Sequence, residues 1–265
     1  MATPLPKPFY STTWLSTHPA PDLGLHAQAG VLVDLDRKQV LWAKDSTAQR
    51  APASLTKMMT AMVAVEHASL EQAVVVPDAA AAMEPDVMGL SAGEVLTVRE
   101  LLYGLFLDSG NDAAETLAQA LMPRQQFLDL MNSKAAAWGL SGTHFGNPSG
   151  LDDPDLRSTP YDLGVIAGHL ELDHPELLEI AGTKERPIPG TSQHKAFDPY
   201  NFNKLLWQYP GATGLKTGYT DDAGGCVTAT ATRNGRRLVA VVMGSDVFFT
   251  DAGRLLDYGF GTANS

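Results

Sequence analysis

Ser54-Leu55-Thr56-Lys57-Met58-Met59-Thr60-Ala61-Met62-Val63-Ala64-Val65-Glu66-His67-Ala68 is the stretch on which the rest of the chain turns. Pro52 and Ser54 open a helix here, and its apolar run from Met58 to Ala68 is hydrophobic on nearly every side, which predicts a mostly buried element. Ser54 and Lys57 are three apart, so both side chains fall on one face within reach of each other. A hydroxyl beside a buried amine is a candidate nucleophile with its base. To take a proton near neutral pH, that amine must lose about three pKa units from roughly 10.4, a differential solvation of about 4 kcal/mol. The helix N-terminus, the apolar surroundings of Met58, Met59 and Met62, and a second cation, Lys216, can supply it.

Working outward, residues 1–28 are rich in Pro, Ser and Thr and show no clear period, so they read as an irregular arm. Residues 29–35 and 39–42 are strand-like runs around the polar turn Asp36-Arg37-Lys38, which predicts a hairpin. After the buried helix, Thr97-Val98-Arg99-Glu100 fits a capping box and starts a helix that delivers the chain to Ser109. Residues 112–121 and 123–138 read as helices, the second closed by Gly139, and Thr159-Pro160 caps another that reaches about Leu172. The C-terminal third changes character. Residues 214–219, 225–232 and 236–244 are strands, the last two joined by the tight turn Asn234-Gly235, and a final helix covers about 249–260. Strands at both ends with helices between them predict an α/β (α+β) fold: one antiparallel sheet built from distant segments, with a helical insertion. The expected organisation is a single catalytic domain over 29–265, with a sheet lobe at about 29–60 and 151–265 and a helical lobe at about 61–150.

Two further motifs complete a constellation. Ser109-Gly110-Asn111 offers a hydroxyl that can relay a proton to a leaving amine, and an amide that can fix Lys57 and hold a substrate carbonyl. Lys216-Thr217-Gly218-Tyr219 has strand spacing: Lys216 and Gly218 face one way, Thr217 the other, and the backbone can pair with an extended peptide. A cation and a hydroxyl there suit a terminal carboxylate, while the backbone N–H groups of Ser54 and Tyr219 can hold an oxyanion. Taken alone, each motif has an ordinary structural explanation: an N-terminal cap, a turn, an edge strand guarded by lysine. Their conjunction carries the weight, because Ser-x-Asn and Lys-Thr-Gly each occur once. A second Ser-x-x-Lys, Ser192-Gln193-His194-Lys195, lies in a Pro- and Gly-flanked loop without helical period. Gly89-Leu90-Ser91-Ala92-Gly93 matches a nucleophile elbow but follows Glu84-Pro85-Asp86 instead of an apolar strand.

Acidic residues outnumber basic ones 30 to 19, a net charge of -11 that argues against nucleic acid or anionic membrane as a general partner. One cysteine, Cys226, excludes an intrachain disulfide and reads as a small core residue. The seven histidines form no metal-type cluster, with His144 and His194 read as surface or loop residues, and no cofactor is expected. No apolar stretch approaches the ~20 residues needed to span a bilayer, and the first 30 lack a signal peptide's regions. An export signal preceding Met1 in the full gene product is the corresponding expectation.

With these residues in place, the chain resembles the low-molecular-mass penicillin-binding proteins, serine D-alanyl-D-alanine carboxypeptidases of the S11 type. The likeness runs from about Ala29 to Gly261 and includes residues 53–60, 109–114, Thr143-His144-Phe145 with Gly150-Leu151-Asp152, and 214–218. It implies a five-stranded antiparallel sheet flanked by helices beside an all-helical lobe, the β-lactamase/transpeptidase-like fold. It makes Ser54 the nucleophile and Lys57 its base, completes the cluster with Ser109 and Asn111, and gives Lys216 and Thr217 the terminal carboxylate. Substrate would be a peptidoglycan pentapeptide ending in D-Ala-D-Ala, β-lactams would be covalent inhibitors, and the setting would be extracytoplasmic, with a monomer as the default. The chain stops at Ser265 where many relatives add a β-rich domain and an anchor, and Phe202 stands where some carry Arg in an Asn-x-Asn segment. A class A β-lactamase needs a loop glutamate, and none occurs from Thr116 through Leu170, although Asp152, Asp153 or Asp155 could substitute. A non-catalytic β-lactam sensor or wall-binding module would keep Ser54 without peptide turnover.

Overall fold

The two apolar runs around Asp36-Arg37-Lys38 pair in a computed structural model of the protein, which describes residues 9–262. The first eight and last three residues of the arm and catalytic segments lie outside the described residues. β1 (Ala29–Asp34) and β2 (Gln39–Lys44) form an antiparallel hairpin. Asp34, fully buried, accepts from the Arg37 amide and from Arg236 Nε at 2.7 Å, so the buried carboxylate is paired as its desolvation requires. Ahead of the hairpin the irregular reading needs correction. Residues Thr13–Thr17 form a short helix, α1, and Tyr10 is fully buried, donating its hydroxyl to the Gly164 carbonyl at 3.0 Å. A large ring with a satisfied hydroxyl outweighs the weak local propensities of a Pro- and Thr-rich segment.

Residues Ala53–Thr56 make a tight 3₁₀ turn that leads into α2 (Lys57–His67), whose residues 57–64 are all buried. The helix expected from Ser54 onward therefore begins three residues later. β3 (Ala73–Val75), α3 (Asp78–Ala81) and β4 (Val95–Thr97) follow, β3 pairing with β4 inside a block that sequence reads as mainly helical. Three-residue strands are too short to show an alternating period. Thr97 caps α4 (Val98–Phe106) with both bonds of the capping box present. α5 (Asn111–Leu121), α6 (Arg124–Ala137) and α7 (Pro160–Asp173) match their anticipated spans, Thr159 capping α7 through the Asp162 amide. Two short helices, α8 (Pro175–Ala181) and α9 (Leu205–Gln208), were not anticipated. β5 (Ala212–Thr220), β6 (Gly224–Arg233), β7 (Arg236–Met243) and α10 (Phe248–Gly261) close the chain. Asn234 and Gly235, both at positive φ, make the β6–β7 turn, as a two-residue hairpin loop demands.

The five strands form one antiparallel sheet in the order β2-β1-β7-β6-β5. The fold class is thus the mixed α and β architecture with a five-stranded antiparallel sheet. Alternation along β1 and β7 feeds two cores. Val31, Val33, Val239 and Val241 face α2, α7 and the other helices, while Leu32, Leu238, Ala240 and Val242 pack under Leu255 and Leu256 of α10. Each of these valines and leucines contributes about 1.5–3 kcal/mol of burial. The consequence for function is positional: β5 lies at a sheet edge, and the 3₁₀ turn ahead of α2 lies against it.

Candidate active site

At the junction of β5 and the 3₁₀ turn, two glycines let backbones meet. A Cβ on Gly218 would sit 2.7 Å from the Ser54 amide nitrogen, and one on Gly150, at φ +92°, would sit 2.1 Å from the Ala53 carbonyl oxygen. Ser54 is thereby held between the edge strand and the 149–151 loop. Ala53, Asp86 and Ser109 all adopt positive φ, a conformation that costs a residue with a Cβ and that clusters at functional sites.

Lys57 is fully buried, and its Nζ donates to Ser54 Oγ at 2.9 Å, Asn111 Oδ1 at 2.7 Å and the Ser149 carbonyl at 2.6 Å. Burial, and then the charge of Lys216, hold its pKa well below the ordinary lysine value, against the opposing pull of Asp86 and Asp112. Lys216, also buried, donates to Ser109 Oγ and to the Thr217 carbonyl, each at 2.9 Å. Burial brings its pKa down to about 7, with Asp86 and Asp108 pulling the other way.

Helix ends deliver the remaining groups. Ser109 follows α4, and Asn111 is the first residue of α5, its amide donating to Asp86 O and its side chain to Pro85 O. Asp112 accepts from the amides of Met88, Gly89 and Leu90 at 2.8–2.9 Å, tying the 85–90 loop to the start of α5. The cleft beside Ser54 encloses about 540 Å³ and is lined by Asp86, Asn111, Leu151, Asp152 and Tyr219 among others. Tyr219 stands exposed at its mouth.

Of the residues singled out in sequence, Ser54, Lys57 and Asn111 form one hydrogen-bonded set, and Ser109 with Lys216 forms a second. Thr217 and Gly218 lie beside them in β5. Sequence reasoning missed the Ser149 carbonyl, which has no residue-type signature, and the acidic residues Asp86, Asp108 and Asp112. Asp108 is half-buried, and burial raises its carboxyl to about 6 even though Tyr200 N–H donates to it at 3.0 Å. Of the three aspartates weighed as stand-ins for a loop glutamate, only Asp152 lines the cleft. Cys226 is buried, which pushes its thiol up to about 11 and leaves it a core residue. The elbow-like Ser91 lies in a loop and accepts from Lys195 of the second Ser-x-x-Lys at 2.8 Å, so the two decoys meet each other and not the cleft.

Comparison with known proteins shows the family. The D-alanyl-D-alanine carboxypeptidase family, peptidase S11, matches residues 15–247. D-alanyl-D-alanine carboxypeptidase DacB2 of Mycobacterium tuberculosis is 38% identical over 242 residues, covering 88% of this chain and 82% of the relative. DacF of Bacillus subtilis is 36% identical over 230 residues, 84% of this chain and 59% of its own length. Among solved structures, a D-alanyl-D-alanine carboxypeptidase of M. tuberculosis superposes with a TM-score of 0.85 at 37% identity, covering 93% of this chain and 95% of the other. A mutant of the Streptomyces K15 DD-transpeptidase gives 0.84 at 31%, covering 89% and 98%.

Proposed function

The chain belongs to the peptidase S11 family and is a serine D-alanyl-D-alanine carboxypeptidase, and we propose that Ser54 is its nucleophile and Lys57 the base that activates it. The observation that carries this assignment is the 2.9 Å contact between Ser54 Oγ and a fully buried lysine amine. An ammonium has three protons, and Lys57 has three acceptors. When it is neutral, its two N–H groups stay on Asn111 Oδ1 and Ser149 O, and the lone pair is left for the Ser54 hydroxyl. Ser54 Oγ then attacks the carbonyl of the penultimate D-alanine as its proton passes to Nζ. The backbone N–H groups of Ser54 and Tyr219 receive the oxyanion. Ser109 passes its hydroxyl proton to the departing D-alanine amine and regains one from Lys216; water then attacks the acyl group, its proton passing through Ser109 to Lys216 while Lys57 returns its proton to Ser54 Oγ.

Substrate enters as an added strand. β5 ends the sheet, so its outer edge can pair with an extended peptide while Lys216 and Thr217 take the terminal carboxylate. The family's substrate is peptidoglycan carrying D-Ala-D-Ala ends, which supports a site of action outside the cytoplasmic membrane. Among the described residues no helix is long and apolar enough to cross a membrane. A β-lactam acylates the same Ser54, and the absence of glutamate from 116 to 170 makes the adduct long-lived. The assigned residues lie within a single chain, so this reading calls for no residue from a second copy. Incubation with a pentapeptide ending in D-Ala-D-Ala, followed by mass spectrometry, tests the reading: loss of one alanine supports it. Penicillin labelling without any peptide turnover would replace it with a sensor.

A further inference from the structure

Beside the catalytic loop lies a surface that the reaction does not use. Seven large hydrophobic side chains are conspicuously exposed among the described residues, and three of them, Tyr200, Phe202 and Trp207, fall on one eight-residue stretch. This is a patch and not scatter, and patches of that kind mark contact sites. Its backbone is pinned: Asn201 and Asn203 are buried between the exposed rings, and Asn201 Nδ2 donates to the carbonyls of Ala181 and Thr183. Tyr200 and Trp207 stack with ring centroids 5.2 Å apart and an interplanar angle of 23°, and Lys184 Nζ lies 5.7 Å from the Trp207 ring. Together with Asn201, Lys204 and Gln208 the three aromatics line a groove of about 340 Å³.

The backbone of the groove is tied to the segment that carries Ser109. Tyr200 N–H donates to Asp108 and Phe202 N–H to the Leu107 carbonyl, next to and two residues before Ser109. We propose that this groove docks the glycan strand of the substrate, a chain of N-acetylated hexosamines, holding it by stacking while an attached peptide reaches Ser54. The inference rests on the carboxypeptidase reading, since only a polymer-borne peptide gives the groove this occupant. The chemistry of the lining fits: flat aromatic faces receive the C–H faces of pyranose rings, and the Gln208 amide and Lys204 ammonium can bond acetamido oxygens and hydroxyls. Because the rings are already fixed, little side-chain entropy is lost on docking. A net charge of -11 disfavours the other occupant of an aromatic and lysine surface, an anionic bilayer.

The test compares the parent with Trp207→Ala and Trp207→Phe. Calorimetric titration uses a peptide-free tetrasaccharide of alternating N-acetylglucosamine and N-acetylmuramic acid, and turnover uses the same pentapeptide free and glycan-linked. Expected are tetrasaccharide binding by the parent, its loss in Trp207→Ala and retention in Trp207→Phe. KM should rise about three- to tenfold on the glycan-linked peptide alone, the worth of one aromatic stacking contact. An equal KM change on both peptides, no tetrasaccharide binding by the parent, or Trp207-dependent sedimentation with vesicles of mixed zwitterionic and anionic lipid in its place would each overturn the proposal. Tetrasaccharide binding that depends on Trp207, with neither peptide turned over, would sustain the groove and sink the carboxypeptidase reading instead.

Discussion

Ser54 with Lys57 and Ser192 with Lys195 share one spacing, and the fold treats the two pairs differently. At the first, a 3₁₀ turn and the start of α2 hold hydroxyl and amine 2.9 Å apart with the lysine fully buried. At the second, the chain is irregular, Ser192 is exposed, and Lys195 turns away to Ser91 at 2.8 Å and to Glu94 at 3.9 Å with half its side chain in solvent. Spacing along the sequence brings two residues to one neighbourhood only where a helix imposes the period. Burial then changes what the amine is, because an ammonium stripped of water holds its proton less tightly.

The sharpest way to break this contrast is to remove each serine. Ser54→Ala should abolish covalent labelling by a fluorescent penicillin and Ser192→Ala should leave it intact; labelling that survives the first change means that the nucleophile lies elsewhere. Next in size, Lys57→Ala should slow acylation at least ~10²-fold, the loss typical of a general base, as read by stopped-flow labelling. Lys195→Ala should leave that rate within about twofold, as for an exposed residue away from the chemistry.

A subtler change sharpens the electrostatic half of the comparison. Lys216→Met removes the cation that lowers the pKa of Lys57, so Lys57 keeps its proton to higher pH and the acid limb of the acylation profile moves upward. The effect is confined to the range in which Lys216 is itself charged, below about 7. A profile that stays put would show that burial alone tunes Lys57. The smallest effect concerns the second pair's surroundings. Val95 N–H donates to the Gln193 carbonyl, and Lys195 N–H to Glu94, so that loop rests on the approach to α4, the helix whose far end carries Ser109. Thr97→Ala opens the capping box and should cost about 1 kcal/mol in chemical denaturation, without altering acylation in the folded protein.

Much of this was legible before any coordinates. The hairpin at Asp36-Arg37-Lys38, the Asn234-Gly235 turn and the capping box at Thr97 are local chemistry, and local chemistry is written in residue types. Ser54, Lys57, Ser109, Asn111 and Lys216 stand out in sequence because their motifs occur together, and the fold joins them in two hydrogen-bonded sets. What stayed hidden depends on the backbone or on tertiary burial: the Ser149 carbonyl could belong to any residue, β3 and β4 are too short for a period, and Tyr10 gains its place only from the Gly164 carbonyl it meets. Asp86 enters through the loop that Asp112 ties down, an arrangement no spacing rule anticipates.

The two hydrogen-bonded sets also carry a consequence for how the protein comes into being. Lys57 finds Ser149 across 92 positions of chain, Lys216 finds Ser109 across 107, and β1 finds its inner neighbour only in β7. Contacts so distant in sequence close late, because the loop entropy between them must be met first. During synthesis Ser54 leaves the ribosome long before the strand that carries Lys216, so it exists as a residue well before it exists as a reactive group. With Ser54 as the proposed nucleophile, a β-lactam should meet no target on the growing chain, and acylation should report that the last strands have docked.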